Sequence, residues 1–171
     1  TKDGLSHNWV NEIFRDLNGI IWITTWGGGI SRYDGKGFAN FSIQDGLADN
    51  NVFGLDQSTD GKIWFATAGG IAVYDGKNFA KITTRDGLVY DSVHTIYADP
   101  DGLIWAGTDG RGVSVYDGKI CVSLDTRDGL AGNHVISIYK DIDDSFWFGC
   151  GVWDVSKTSK GGLLHLSLIH I

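Results

Sequence analysis

The stretch Gly61–Phe79, GKIWFATAGGIAVYDGKNF, holds three short apolar runs separated by a glycine pair and an Asp-Gly step. Runs of four to six residues rich in β-branched and aromatic types, bounded by such breaks, predict antiparallel strands joined by tight turns. Asp75-Gly76 is expected to supply both positive-φ positions of a type I′ hairpin turn. Outward from this stretch the same words return. Trp22, Trp64, Trp105 and Trp147 stand 42, 41 and 42 residues apart. Asp-Gly-Leu begins at 3, 45, 86 and 128, and Tyr-Asp-Gly at 33, 74 and 116. The chain is four copies of one module.

A period in the low forties with four strand-like runs per copy predicts β-propeller blades. The expected fold is all-β, an open arc of four blades spanning about 3–43, 44–84, 85–126 and 127–166, the last incomplete. In each blade strand A lies nearest the central channel and strand D on the rim. The fourth copy keeps Trp147 but then carries an extra stretch, residues 151–160, and lacks the Tyr-Asp-Gly turn and a strand D. The terminal Leu-Ser-Leu-Ile-His-Ile resembles the translation of a transposase mosaic end, so 167–171 is expected to be a sequencing scar or a disordered tail.

Composition narrows the function classes. A chain of 171 residues with 42% hydrophobic content has enough apolar surface for one core. Of 21 acidic residues all but Glu12 are Asp, so the net charge of −7 reflects turn chemistry more than a charged face. The balance argues against nucleic acid, whose binders cluster Lys and Arg. No apolar run is long enough to span a membrane and no signal peptide is evident; with no Met, the chain is expected to be a piece of a longer one. Cys121 and Cys150 fall at different places in their repeats, which argues against a designed disulfide.

Gly-Leu, a V-x-x-I segment, Asp, a turn, Ile-Trp, two Gly and R-Y-D-G together resemble the two-component regulator propeller repeat, and the resemblance runs from Asp3 to about Leu166. That family builds periplasmic sensor regions of membrane histidine kinases and hybrid two-component systems, many linked to polysaccharide use. The resemblance implies a periplasmic, extracytoplasmic segment that does no chemistry and does not itself touch the membrane. Its partners would be a small ligand, further propeller blades and the signalling domains of a parent chain.

The repeated Trp reads either as a sugar-stacking platform or, from its fixed place in strand B, as an inter-blade core residue. The Asp-rich turns at 16–19, 56–61, 99–102 and 141–144 invite calcium, but one short turn offers too few of its six to eight oxygens. Asp capping a hairpin explains them. Streptogramin lyases are also propellers and use His and Glu with a metal, yet Glu12 is the lone Glu here and no His pair has ligand spacing. No catalytic residue, metal or cofactor is therefore assigned; a lyase-type enzyme or a protein-interaction scaffold is the alternative.

What varies between copies is more telling. The D-to-A connections and B-to-C loops are expected to share one channel mouth. Their Asn/Asp column (Asn8, Asn50, Asp91, Asn133) recurs and reads as a structural cap. The varying residues Trp9, Trp26, Tyr90, Asp109, Arg111, His134 and Trp153 are the candidate ligand-binding set. Rings that stack on sugar faces beside planar polar groups are what an oligosaccharide site needs. The competing reading makes them ordinary loop residues.

Overall fold

The structure, a computed structural model, describes residues 1–151 and the backbone of a strand at 162–166. Blade one comprises β1 (Val10–Arg15), β2 (Ile21–Thr25), β3 (Ile30–Tyr33) and β4 (Phe38–Phe41). Blade two comprises β5 (Val52–Gln57), β6 (Ile63–Thr67), β7 (Gly70–Tyr74) and β8 (Phe79–Ile82). Blade three comprises β9 (Val93–Ala98), β10 (Ile104–Thr108), β11 (Val113–Tyr116) and β12 (Cys121–Leu124). Blade four comprises β13 (Val135–Lys140), β14 (Phe146–Cys150) and β15 (Gly162–Leu166). Each is an antiparallel meander in chain order; among the described residues the first three sheets have four strands and the last has three. The all-β arc of blades with an incomplete fourth is what the repeats predict. Residues 152–161 and 167–171, which include Trp153, most of the extra stretch and the expected scar, lie outside the described residues.

The innermost strands pack in sequence, β1 on β5, β5 on β9 and β9 on β13. Between them lie three apolar cores, each built around a repeated Trp. Trp22 meets Leu47, Val52, Leu55 and Phe65 of the next blade. Trp64 meets Leu88, Val93, Ile96 and Ile104. Trp105 meets Leu130, Val135, Phe146 and Phe148. The buried leucines of Asp-Gly-Leu (Leu47, Leu88, Leu130) thus plug the preceding blade's tryptophan layer. Core packing, not stacking on a ligand, accounts for these three Trp.

The turn carboxylates are spent on the chain itself. Asp16 accepts the amides of Asn18 and Ile20 and the Trp22 indole N–H, all at 2.9 Å. Ser58 and Asp141 accept the indoles of Trp64 and Trp147 at 2.9 and 3.0 Å. Blade three departs from this pattern. There the buried Asp99 carboxylate takes Lys140 Nζ at 3.1 Å, and Trp105 Nε1 has no acceptor among the described residues. The hairpin expectation needs a correction. Gly76 is left-handed (φ 98°) but Asp75 is not; its side chain instead accepts the amides of Lys77 and Asn78 at 2.8 and 2.7 Å. One positive φ therefore suffices, because the carboxylate closes the turn that a second would have shaped.

Before Asp-Gly-Leu the rim strand ends in a 3₁₀ turn absent from the expected elements, at Ile43–Asp45 and Thr84–Asp86. Each carries a reciprocal capping box, Ser42 with Asp45 and Thr83 with Asp86.

Candidate functional site

The D-to-A connections and B-to-C loops meet at one end of the blades through backbone hydrogen bonds. Within a blade, Trp26 N–H donates to Trp9 C=O at 3.0 Å, Ala68 to Asn51 at 3.1 Å and Asp109 to Ser92 at 2.9 Å. Between blades, Gly27 and Gly29 donate to Asn50 C=O, and Gly110 and Gly112 to Asn133 C=O, at 2.7–3.1 Å. The Asn/Asp side chains brace the same junction: Asn50, Asp91 and Asn133 accept the amides of Ile43, Thr84 and Thr126 at 2.9, 2.6 and 2.9 Å. The loops at this mouth are fixed from both sides.

Every innermost strand carries a one-residue irregularity beside this junction. The register skips between Val10 and Glu12, Val52 and Gly54, Val93 and Thr95, and Val135 and Ser137. The unpaired residues are Asn11, Phe53, His94 and Ile136. An extra residue in one strand re-aims its side chain, and bulges concentrate where proteins build sites. Here they feed a varying column into the mouth. The sequence does carry a signal for these positions: they are the first x of V-x-x-I (V-x-x-L in blade two), varying within an otherwise apolar frame.

The result is an unbroken row of rings across three blade boundaries. Trp9 lies 6.1 Å from Trp26, and Trp26 meets Phe53 edge-on at 5.4 Å. Phe53 stacks on His94 at 4.4 Å with 14° between planes, and His94 meets His134 edge-on at 5.1 Å. Trp9, Asn11, Trp26, Phe53 and His94 line a groove of about 410 Å³. Asn11 Nδ2 donates to Val52 C=O at 2.7 Å and ties its wall to blade two. Trp9 and Trp26 are exposed, so the indole faces are available to solvent.

Of the predicted site residues, the structure brings together Trp9 with Trp26, and Asp109 with His134. Tyr90 and Arg111 are exposed, and no hydrogen bond, ion pair or ring contact joins either to the row among the described residues. At the row's far end, His134 Nε2 stands 3.4 Å from Asp109 Oδ1. His94, Asp109 and His134 each turn one donor atom into a space in which no two are more than 4.8 Å apart. Burial, reinforced by neighbouring His134, holds the His94 imidazole below the usual histidine range. The mouth thus combines an aromatic groove with a His/His/Asp cluster of metal-ligand type. Glu12 is placed elsewhere: its carboxylate accepts Leu55 N–H at 3.0 Å and clasps blade one to blade two.

A larger cavity of about 560 Å³ lies at the opposite end of the strands, among Ser58, Lys62, Trp64, Gly102 and Tyr116. Its counterpart one blade earlier is lined by Asp16, Trp22, Gly61 and Tyr74. A cleft repeated in register with the blades, around the recurring Trp, Gly and Tyr, is a property of the repeat. Size therefore does not select it over the mouth.

The two-component regulator propeller family matches residues 87–110 and 129–152. No curated protein matches the sequence. Among solved structures, an extracellular domain assigned to the hybrid two-component system BT3049 of B. thetaiotaomicron is 26% identical with a TM-score of 0.80. The likeness covers 95% of this chain and 22% of that one. That of BT4673 from the same organism is 23% identical with a TM-score of 0.74, over 95% of this chain and 23% of that one. Virginiamycin B lyase of Staphylococcus aureus shares the fold at 18% identity and a TM-score of 0.65, over 98% of this chain and 59% of the lyase. The chain therefore spans under a quarter of the length of these two extracellular domains. Two stretches of the chain, in its third and fourth repeats, thus match the two-component regulator propeller family, and the solved structures share the propeller-blade fold.

Proposed function

We propose that this segment recognises a ligand, an oligosaccharide fragment, at the channel mouth of an extracytoplasmic sensor, and that it does no chemistry itself. The observation that carries the reading is the row Trp9–Trp26–Phe53–His94 lining one groove while the repeated Trp are consumed in cores. Exposed indoles suit the apolar faces of sugar rings, and Asn11, Asp109, Arg111 and His134 supply donors and acceptors for hydroxyl or acidic groups. Tyr90 flanks the same loops as a further platform. The likeness to extracellular domains of two-component systems supports a periplasmic place and a parent chain with further blades and signalling domains. No helix among the described residues is long and apolar enough to cross a membrane.

Calorimetric titration against a panel of neutral and acidic oligosaccharides tests the reading, with Trp26→Ala and Arg111→Ala beside the parent. Truncating an anchor aromatic costs about 2 kcal/mol, roughly thirtyfold in affinity. A glycan that binds equally well to the parent and to both variants would move the site elsewhere.

A further inference from the structure

The cluster that ends the ring row has a composition the groove does not explain. Two imidazoles and a carboxylate from three segments (bulged strand β9, the B-to-C loop of blade three and the D-to-A connection of blade four) converge where two loops already pair, Asp109 bridging His134. Nitrogen and oxygen donors of this kind suit zinc and its neighbours, not calcium or magnesium, which take oxygen alone.

Orientation points the same way. His134 Nδ1 lies 3.2 Å from the Gly151 carbonyl oxygen. A carbonyl only accepts, so Nδ1 carries the hydrogen and Nε2 is turned toward Asp109. A ligating histidine held by a hydrogen bond from its other nitrogen to a backbone carbonyl is the usual outer-shell arrangement of zinc sites. The spacing also fits. Two donors on one tetrahedral zinc, with bonds of about 2.0–2.1 Å, stand roughly 3.3 Å apart; Asp109 Oδ1 and His134 Nε2 are 3.4 Å apart. Without a proton or cation between them, a neutral Nε2 and a carboxylate oxygen present lone pairs to each other. His94 offers the third donor, with no donor pair of the three more than 4.8 Å apart.

We propose that His94, Asp109 and His134 form a binding site for a divalent transition metal, zinc by ligand type, at the channel mouth. Three protein ligands are one short of a closed tetrahedral site. Because His94 also lines the groove, the remaining position falls to water or to an oxygen of whatever occupies the groove. The site stands on the three residues alone and does not require the oligosaccharide reading.

The test uses the 171-residue chain with zinc alone, after chelator treatment, followed by cobalt as a visible probe. One zinc per chain is expected at micromolar concentration or below, with cobalt bands of nitrogen and oxygen ligation and no thiolate charge-transfer band. Removing an outer-shell partner costs about 10–100-fold in metal affinity, so His94→Ala and His134→Ala should each lose at least the upper end of that range. His7→Ala and Cys121→Ser should bind as the parent does. On the unsubstituted chain, the imidazole NMR signals of His94 and His134 should move with zinc while that of His7 stays, which reads the site even if a variant folds poorly. Uptake only at millimolar zinc, uptake unchanged in both histidine variants, or immobile His94 and His134 signals would overturn the proposal and leave a proton-bridged His134–Asp109 pair.

Discussion

Ile13 and Ile96 occupy the same place in the innermost strands of blades one and three, yet Ile13 is 66% exposed and Ile96 only 7%. Local sequence, strand and register are alike. What differs is the preceding blade: Trp64 and its neighbours cover Ile96, and no blade among the described residues covers Ile13. At the other end, Trp147 holds the place of Trp22, Trp64 and Trp105 but is only half-buried. The apolar words of the repeat are written for the next blade, so the same residue is core or surface according to its neighbour. This is the behaviour of a quasi-one-dimensional array, whose stability is a sum of blade and interface contributions.

The sharpest way to break that comparison is to truncate the repeated Trp at an inner and a terminal blade. Trp105→Ala removes the centre of the core between blades three and four and should cost about 3–5 kcal/mol. Trp147→Ala should cost less than about 2 kcal/mol, within the range of ordinary substitutions. Urea denaturation of both variants checks this; equal losses would mean that Trp147 is packed by something other than a following blade.

Next in size is the ion pair between blades three and four. Lys140 Nζ bonds Asp99 and Asp144 at 3.1 Å each and lies 3.8 Å from Asp101. The hydrogen bond to Asp144, then those to Asp99, hold the ammonium above the usual lysine range. Asp99 is buried, and removing one partner of a buried pair leaves an uncompensated charge costing about 3 kcal/mol. Lys140→Met should show most of that loss in the same denaturation experiment. Lys62→Met should lose under about 1 kcal/mol, because its partner Asp60 is exposed.

The same comparison separates what was legible in the sequence from what was not. The period, the Trp column and Asp-Gly-Leu were readable because each serves an interface repeated at every blade. The metal-type cluster was not. It joins a bulged strand residue, a B-to-C loop and a D-to-A connection of two different blades, and only the blade-to-blade angle brings them together. Its members look like a lone His, a turn Asp and a loop His. The bulge column was half legible: variation at 11, 53, 94 and 136 was visible, but a register skip leaves no mark in the residues that flank it. The paired positive φ expected at Asp75-Gly76 failed for a related reason, since the side-chain acceptor replaced a backbone conformation.

If exposed and buried copies of one surface differ only by their neighbour, the terminal faces should still recognise each other. The Trp-bearing face of one blade meets the innermost strand of the next throughout the chain, so blade four of one molecule suits blade one of another in a head-to-tail contact. Such contacts do not close on themselves and extend with concentration. Sedimentation velocity should show concentration-dependent growth, reduced by Ile13→Lys with little change in unfolding midpoint. A monomer at all concentrations would show that a neighbour in the same chain is needed to order these faces.

The smallest effect expected is in the clasp between blades one and two. Glu12 reaches across to Leu55 N–H, and Gly54 leaves the room: a Cβ there would lie 3.3 Å from Glu12 Oε2. Burial raises the Glu12 carboxyl above its ordinary 4.5 despite the amide, and Asp56, itself raised by burial, adds repulsion. A folded-state value above the unfolded one means that the native chain binds the proton more readily, so this group's contribution weakens as pH rises from 4.5 through the raised value. The clasp is accordingly tighter on the acid side of neutrality, unlike the turn at Asp60. There Lys62 and Ser58 lower the carboxyl to about 2, and stability is lost as pH falls from 3.8 toward that value. Thermal unfolding from pH 7 down to about 5 should therefore show a modest rise in midpoint. Glu12→Gln keeps an oxygen for Leu55 N–H without a charge to bury, so it should flatten much of that rise and match or exceed the parent at pH 7. A slope unchanged in Glu12→Gln would assign the pH response to Asp56, which bonds Ala98 N–H at 2.8 Å across the next blade boundary.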